Sequence, residues 1–463
     1  MIDVVNYILG LGAAIFLPVV MVILGLCMGM KVKKAVIAGL TLGIAFTGMN
    51  VVLGFMFDAI GPAASAMVER TGVQLTAVDV GWSPMAAIAW AWPYALLLFP
   101  LQIGINLIMI ALNKTNCLNV DLWNVWGKIF VAAMVYALTG SLVLGLIAAA
   151  VQVVLELLNG DLIQKQLYDI CKIPGVTCTH PMMLQAPLLT FLNKLLDYVP
   201  GIGSMNMDAK GMKKKLGLFG ENSVMGFIIG GLIAAFGGYD VKGILTCAMQ
   251  TSTALVLFPM VAKLFMQALA PIADAASAFM KARFKGREFY VGLDWPFLAG
   301  SAEVWVAAII IVPFELILAV VLSQMGLNNV IPLASVINVV ITVPALVAAR
   351  GNIVRMIIIS ILVIPIYLIV ATSFAPALTE MAAATGTLEV QAGQFVTWIQ
   401  LEAPEFRWAL AHAFNGEVAG IGVLVAFFGL FAWYFKAMRT RNAALEAATD
   451  GKAEAGKSAG AAD

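Results

Sequence analysis

Charge is scarce in this sequence. Only 11% of its 463 residues are Asp, Glu, Lys or Arg, against 62% that are hydrophobic, where a soluble domain carries roughly 25% charged residues. With a mean hydropathy of +0.96, the chain has more apolar surface than a water-soluble core of this size can hide. The net charge is +1, and the few basic clusters leave no footprint for nucleic acid. No glycine-rich nucleotide loop is present, so any energy the protein uses would come from an ion gradient or a partner. Cysteine is sparse as well. Cys27, Cys117, Cys171, Cys178 and Cys247 are too scattered for a disulfide framework. Cys171, Cys178 and His180 share a loop but fall short of a zinc ligand set, so neither metal nor cofactor is expected. The start, Met1-Ile2-Asp3, lacks the positive leader of a signal peptide, and the first apolar run reads as a retained membrane helix.

What is abundant is apolar length. Spans of about 20 residues fall near 8–28, 35–57, 85–112, 128–157, 182–199, 217–237, 243–262, 297–322, 330–348, 353–373 and 413–435. The expectation is an all-α polytopic membrane protein with about eleven crossings. The fifth is the weakest, holding Lys194 and Asp197 and punctuated by Pro181, Pro187 and Pro200. The 85–112 segment, broken by Pro93 and Pro100, reads as a long helix or a re-entrant turn followed by one. With the N-terminus outside, 21 of the 27 Lys and Arg fall inside and 5 outside (Arg70, Lys165, Lys172, Lys242 and Arg407), with Lys194 buried. That bias places the C-terminus in the cytoplasm. Residues 441–463, rich in Ala, Gly and charge, read as a disordered tail.

Two stretches share an order of features. Each has a Gly-x-x-Val-Lys turn (Gly29 to Lys33; Gly238 to Lys242), an apolar span, a Pro-led alanine-rich segment (Pro62; Pro271) and an acidic-Trp-Pro turn. Five crossings separate equivalent points, so the second copy is expected to be inverted, as in many transporters. The expected layout is a first repeat over 1–200, an inverted second repeat over 201–375 and a last helix over 413–436. The alanine-rich segments 58–70 and 267–284 read equally as interfacial helices or as ordinary loop helices.

Polar groups inside a membrane are costly and therefore candidates for function. Asp79 with Trp82, and Asp294 with Trp295, sit in the two Pro-containing turns. Acids there can accept hydrogen bonds from hydroxyls, and indoles can stack on a sugar's apolar face. The alternative is helix-capping acids and interfacial Trp anchors. Glu221 opens the sixth span as ligand, proton carrier or cap. His180 precedes Pro181 at the mouth of the weakest crossing. Asp121 and Asn124, three apart, share a helical face beside Trp123 and Trp126. Glu303 and Glu315 lie within the eighth crossing, while His412 reads as a solvated loop residue.

Several longer motifs carry a resemblance. Asn119-Val120-Asp121-Leu122-Trp123-Asn124-Val125-Trp126, Asp79-Val80-Gly81-Trp82, Phe219-Gly220-Glu221, Gly238 to Gly243, Phe289 to Asp294 and Arg350-Gly351-Asn352 resemble the galactitol-type IIC subunit of the bacterial sugar phosphotransferase system. That family is related to the ascorbate-type permeases. The likeness runs from about residue 3 to about residue 440, making 1–440 one transport domain. It implies a dimeric permease of the bacterial inner membrane, embedded in lipid. A sugar or polyol would be bound outside and carried inward. A separate cytosolic IIB subunit, charged by IIA, would then phosphorylate it. By motif match, Asp294, His180 and Glu221 would contact substrate, with Asp79, Asp121 and Asn124 as further contacts. The chain departs from the family pattern at His180-Pro181-Met182, where the pattern has His-Gly-Thr, and after Asp294, at Trp295 and Glu303. The implied substrate is therefore a hexitol, pentitol or similar sugar rather than galactitol in particular. The rival reading is an ion-coupled secondary transporter using Glu221, Asp294 or Glu303 as proton sites.

Overall fold

The computed structural model describes residues 13–70, 76–119, 121, 123–202, 205, 221–283, 287, 289–332, 335, 337–385, 393 and 395–459. Met1 to Asp3, Val120, Leu122, Phe219 and Gly220, all used in the sequence reading, lie outside them.

Backbone polar groups cannot be left open in hydrocarbon, so the apolar runs become helices. The first half comprises α1 (Ala13–Cys27), α2 (Val32–Glu69), β1 (Ala77–Asp79), α3 (Trp82–Ala91), α4 (Leu98–Ala111), β2 (Cys117–Asn119), α5 (Trp126–Thr139), α6 (Leu142–Cys171), β3 (Val176–Cys178) and α7 (Ala186–Leu195). The second comprises α8 (Asn222–Phe236), α9 (Val241–Arg283), β4 (Tyr290–Leu293), α10 (Ala302–Gln324), β5 (Val330–Ile331), α11 (Val339–Ala348), α12 (Ile353–Thr385), β6 (Phe395–Thr397), α13 (Pro404–Phe414) and α14 (Val418–Ala459). Among the described residues, α6, α10, α12 and the apolar part of α14 are long and apolar enough to cross a bilayer, and α1, α4, α5, α8, α9 and α11 hold shorter apolar stretches. The protein is a helical, multi-pass membrane protein, with six very short strands among the described residues.

Several expectations are corrected. The 128–157 span is two helices. Gly140 turns left-handed at φ 67° to end α5, and the Ser141 hydroxyl caps α6 by accepting from the Leu144 amide at 3.4 Å. The 182–199 span is a 3-10 turn (Pro181–Gln185) followed by the 10-residue α7, about 15 Å of helix where a crossing needs about 30 Å. The alanine-rich segments are not separate helices but the continuous ends of α2 and α9, which run for 38 and 43 residues. Helix α14 continues to Ala459, across most of the stretch whose composition reads as disordered.

The extra helix break also moves charges. Gln166 donates to Asn442 Oδ1 at 3.0 Å, Asn442 donates to the Leu162 carbonyl at 2.9 Å, and Lys165 pairs with Glu446. Lys165 thus lies at the same end of the molecule as Lys436 and Arg439, not opposite them. The same end gathers α7, α11 and α12: Asn193 donates to the Ala348 carbonyl at 3.1 Å, and Arg355 pairs with Asp197 at 2.9 Å. Two other bases leave the surface altogether, since Lys128 and Arg407 are each 1% exposed.

The strands form two parallel three-stranded sheets, ordered β5-β1-β6 and β2-β4-β3. In each, the central strand comes from one half of the chain and both neighbours from the other. Ala77 pairs with Val330 and Phe395, and Val291 pairs with Leu118 and Val176. Gly292 permits the close approach of the second sheet. A β-carbon there would lie 2.6 Å from Thr179 and 2.9 Å from the Cys117 sulfur.

Candidate substrate site

The second sheet delivers three polar turns to one place. Strand β4 ends at Asp294, which caps a 3-10 turn (Trp295–Gly300), its Oδ1 accepting from the Trp295 amide at 2.7 Å. Strand β3 leads to His180, which caps the 3-10 turn ahead of α7 in the same way, its Nδ1 accepting from the Met182 amide at 3.3 Å. An accepting Nδ1 fixes the neutral ring's proton on Nε2. That nitrogen faces Glu402 Oε1 at 3.4 Å and Asp294 Oδ1 at 3.6 Å. Both separations are too long for a firm hydrogen bond. The three side chains surround a common point without closing on one another.

Strand β2 supplies the third turn. Asn119 holds it, accepting from the Asp121 amide at 2.9 Å and the Thr179 hydroxyl at 3.0 Å. Asp121 then accepts from the Asn124 amide at 3.2 Å and from its side chain at 2.9 Å, while Asn124 accepts from the Trp126 indole at 3.1 Å. Asn124 and Asp121 both face Asp294. Trp126 stacks at a tilt on Trp398, with ring centroids 5.2 Å apart.

A buried charge network backs this arrangement. Arg407 on α13 donates to Glu402 Oε2 at 2.5 Å and lies over the Phe130 ring. Lys128 pairs with Glu156 at 2.7 Å and donates to the Asn124 carbonyl at 3.3 Å, and Gln152 donates to Glu156 at 2.7 Å. Gly127 makes the meeting possible, because a β-carbon there would crowd Pro181 at 2.9 Å and both Arg407 and Glu402 at 3.1 Å. Here the carboxylates of Asp121, Glu156, Asp294 and Glu402 outnumber the cations of Lys128 and Arg407. In a medium of low dielectric, such groups are tolerated only when paired or ligand-bound.

Of the residues singled out in the sequence, Asp294, His180, Asp121 and Asn124 meet here. Asp79 ends the central strand of the other sheet. Trp82 opens α3 beside it and is 50% exposed. Glu221 occupies the cap position of α8 and is half-buried. Glu315 is fully buried on α10. His412, read as a loop residue, instead sits near the end of α13, stacked between Trp408 and Phe374. Sequence reasoning missed Glu402, Arg407, Lys128 and Glu156. The signal available was Glu402-Ala403-Pro404-Glu405-Phe406-Arg407, a charged, Pro-broken stretch like the turns at Asp79 and Asp294.

Comparison with known proteins adds to this picture. Residues 7–393 match the family model described as "PTS system sugar-specific permease component". The chain belongs to this family. It is 32% identical over 94% of its length, and over 96% of theirs, to the "PTS system galactitol-specific EIIC component" of Escherichia coli strain K12 and of O157:H7. It is 30% identical to a "Putative permease IIC component" of strain K12, over 91% of this chain and 96% of that one. The protein is thus a sugar permease component of a phosphotransferase system, and the ion-coupled alternative is not favoured.

Proposed function

We propose that the permease binds a neutral, hydroxyl-rich solute, a hexitol or pentitol, at His180, Asp294, Asn124 and Glu402, and releases it inward to a IIB subunit that IIA recharges. The observation that carries this reading is the unclosed triangle of His180, Asp294 and Glu402, spaced 3.4 and 3.6 Å about one nitrogen. A hydroxyl placed there donates to a carboxylate while accepting from the imidazole, which the side chains cannot do for one another at these distances. Galactitol, for which the E. coli relatives are named specific, belongs to the same chemical class.

The proposed layout is an inverted repeat, with copies over 13–195 and 222–414 and α14 outside it. This extends the second copy beyond residue 375. The order of elements supports it. Each copy has a short helix, a very long helix, a strand, helical spans separated by a second strand, then a third strand and a short returning helix. Within a copy no strand pairs with another; each copy lends its first strand to the other's sheet. The excess of Lys and Arg at the end holding 348–355 and 436–441 supports an N-terminus outside and a C-terminus in the cytoplasm. From the family resemblance we also propose a homodimer in the bacterial inner membrane, Glu221 as a further substrate contact, and Asp79 and Trp82 as supports of the opposite sheet.

The test is accumulation of radiolabelled polyols in cells carrying this permease with its IIA and IIB partners. Label should appear inside as phosphate ester and only with the relay intact. Entry of unmodified label, independent of the relay, would overturn the reading.

A further inference from the structure

Next to the triangle lies a set of polar atoms that the fold does not satisfy. Gln185, at the end of the 3-10 turn that His180 opens, is fully buried, and its side chain meets that of Glu405. That contact, with the first turn of α13, leaves most of the hydrogen-bonding capacity of the amide and the carboxylate unused. Tyr367 on α12 is fully buried, its hydroxyl has no partner, and it lies within electrostatic range of Glu405, Glu402 and Arg407. Arg407 uses Nη2 on Glu402 and leaves Nη1 without a partner.

Buried polar groups in folded proteins are almost always hydrogen-bonded, and leaving one open costs its full desolvation. Neighbouring side chains with so much of this capacity unused point to something that binds them together. The inventory is an amide that donates and accepts, a phenol that does both, a carboxylate that accepts and a guanidinium edge that donates. That set matches a run of hydroxyls, each of which is both donor and acceptor. An apolar ligand would leave the Tyr367 hydroxyl and the open edge of Arg407 orphaned, and an anion would be repelled by Glu402 and Glu405. The 3-10 turn carries Gln185 on the order of 10 Å beyond His180, comparable with the length of an extended hexitol.

We propose that Gln185, Tyr367 and Glu405, with the open edge of Arg407, form a second subsite that holds the end of the polyol remote from His180 and Asp294, and so sets the chain length accepted. This rests on the polyol reading of the first site. The His180–Asp294–Glu402 triangle holds any polyol by its near end. Only a chain long enough to reach Gln185 gains the second set of bonds.

The experiment is equilibrium binding of erythritol, xylitol and galactitol to the purified full-length permease and to Gln185→Leu, Glu405→Gln and Tyr367→Phe. Each variant is first checked for a monodisperse, cooperatively melting preparation. The wild type should bind more tightly up the series. The variants should lose 10-fold or more on galactitol and less than 3-fold on erythritol, flattening the series. Tyr367→Phe removes one hydroxyl and guards against misfolding of the others. A series that keeps its slope in folded variants, or a loss equal at all three lengths, overturns the subsite. A wild type that binds none of the three overturns the polyol reading itself.

Discussion

The ends of the two sheets are built alike and finished differently. In the first, Asp79 is saturated. Its oxygens accept from the Gly81 amide at 3.3 Å, the Ser335 amide at 2.7 Å, the Ser335 hydroxyl at 2.9 Å and the Ile399 amide at 3.3 Å. In the second, Asp294 takes one backbone amide and otherwise faces Asn124, Asp121, His180 and Glu402. One substitution of chemistry goes far to explain the contrast. Ser335 stands three residues before Asn338, and Asp121 stands three residues before Asn124. A hydroxyl opposite a carboxylate donates and shuts the turn; a second carboxylate cannot, and the turn stays open with charge to spare. A closed end is a clasp, and an open one is available to a ligand.

The largest effect should come from breaking what supports the open end. Arg407→Met strips Glu402 of its buried partner and should cost about 3–5 kcal/mol of stability, read as a fall in melting temperature. Adding Glu402→Gln should recover most of that loss but not ligand affinity. Next, Ser335→Asp would give the closed end the chemistry of the open one. Two buried acceptors then face each other with the amide donors disturbed, at a cost of about 2–3 kcal/mol, again by melting. Asp294→Asn sharpens the contrast from the other side. It keeps the shape, removes the charge and should weaken polyol binding by about 1.5–3 kcal/mol, with the melting temperature unchanged or raised. Unaltered affinity in a folded Asp294→Asn protein would remove Asp294 from the site.

The smallest effect lies outside both ends. Hydrogen bonds from Asn415 and then His412 hold the Glu417 carboxyl below its ordinary range. A depressed folded value means the contribution is present above the unfolded pKa and fades as pH falls through the folded one. Glu417→Gln should therefore flatten the acid limb of the melting-temperature profile while uptake stays at the wild-type level.

The sequence was readable where physics is local. Apolar length revealed a membrane protein, and the cost of buried charge marked Asp294, His180, Asp121 and Asn124 one by one. It was not readable where one residue outweighs its surroundings. Hydropathy averaged across 128–157 cannot register the left-handed turn at Gly140 that makes two helices of it. Nor can sidedness counts detect pairing at a distance. Arg407 was tallied as a surface base because the carbonyl of Gly127, 280 positions away, which accepts from it, has no local signature. The strands were invisible for the same reason. Two to four residues carry almost no periodicity, and their partners lie in the other half of the chain.

That exchange of central strands also bears on how the protein is made. When the ribosome has passed residue 200, β2 and β3 already exist, but β4, which must join them, has not been synthesised. Until Tyr290 to Leu293 arrives, the half-built site keeps open backbone edges. By the same token, β1 waits for β5 and β6. Neither sheet can close from one half alone, and the cluster of His180 and Asp294 comes together only when the two have clasped. Two halves expressed as separate polypeptides should therefore find each other in the membrane.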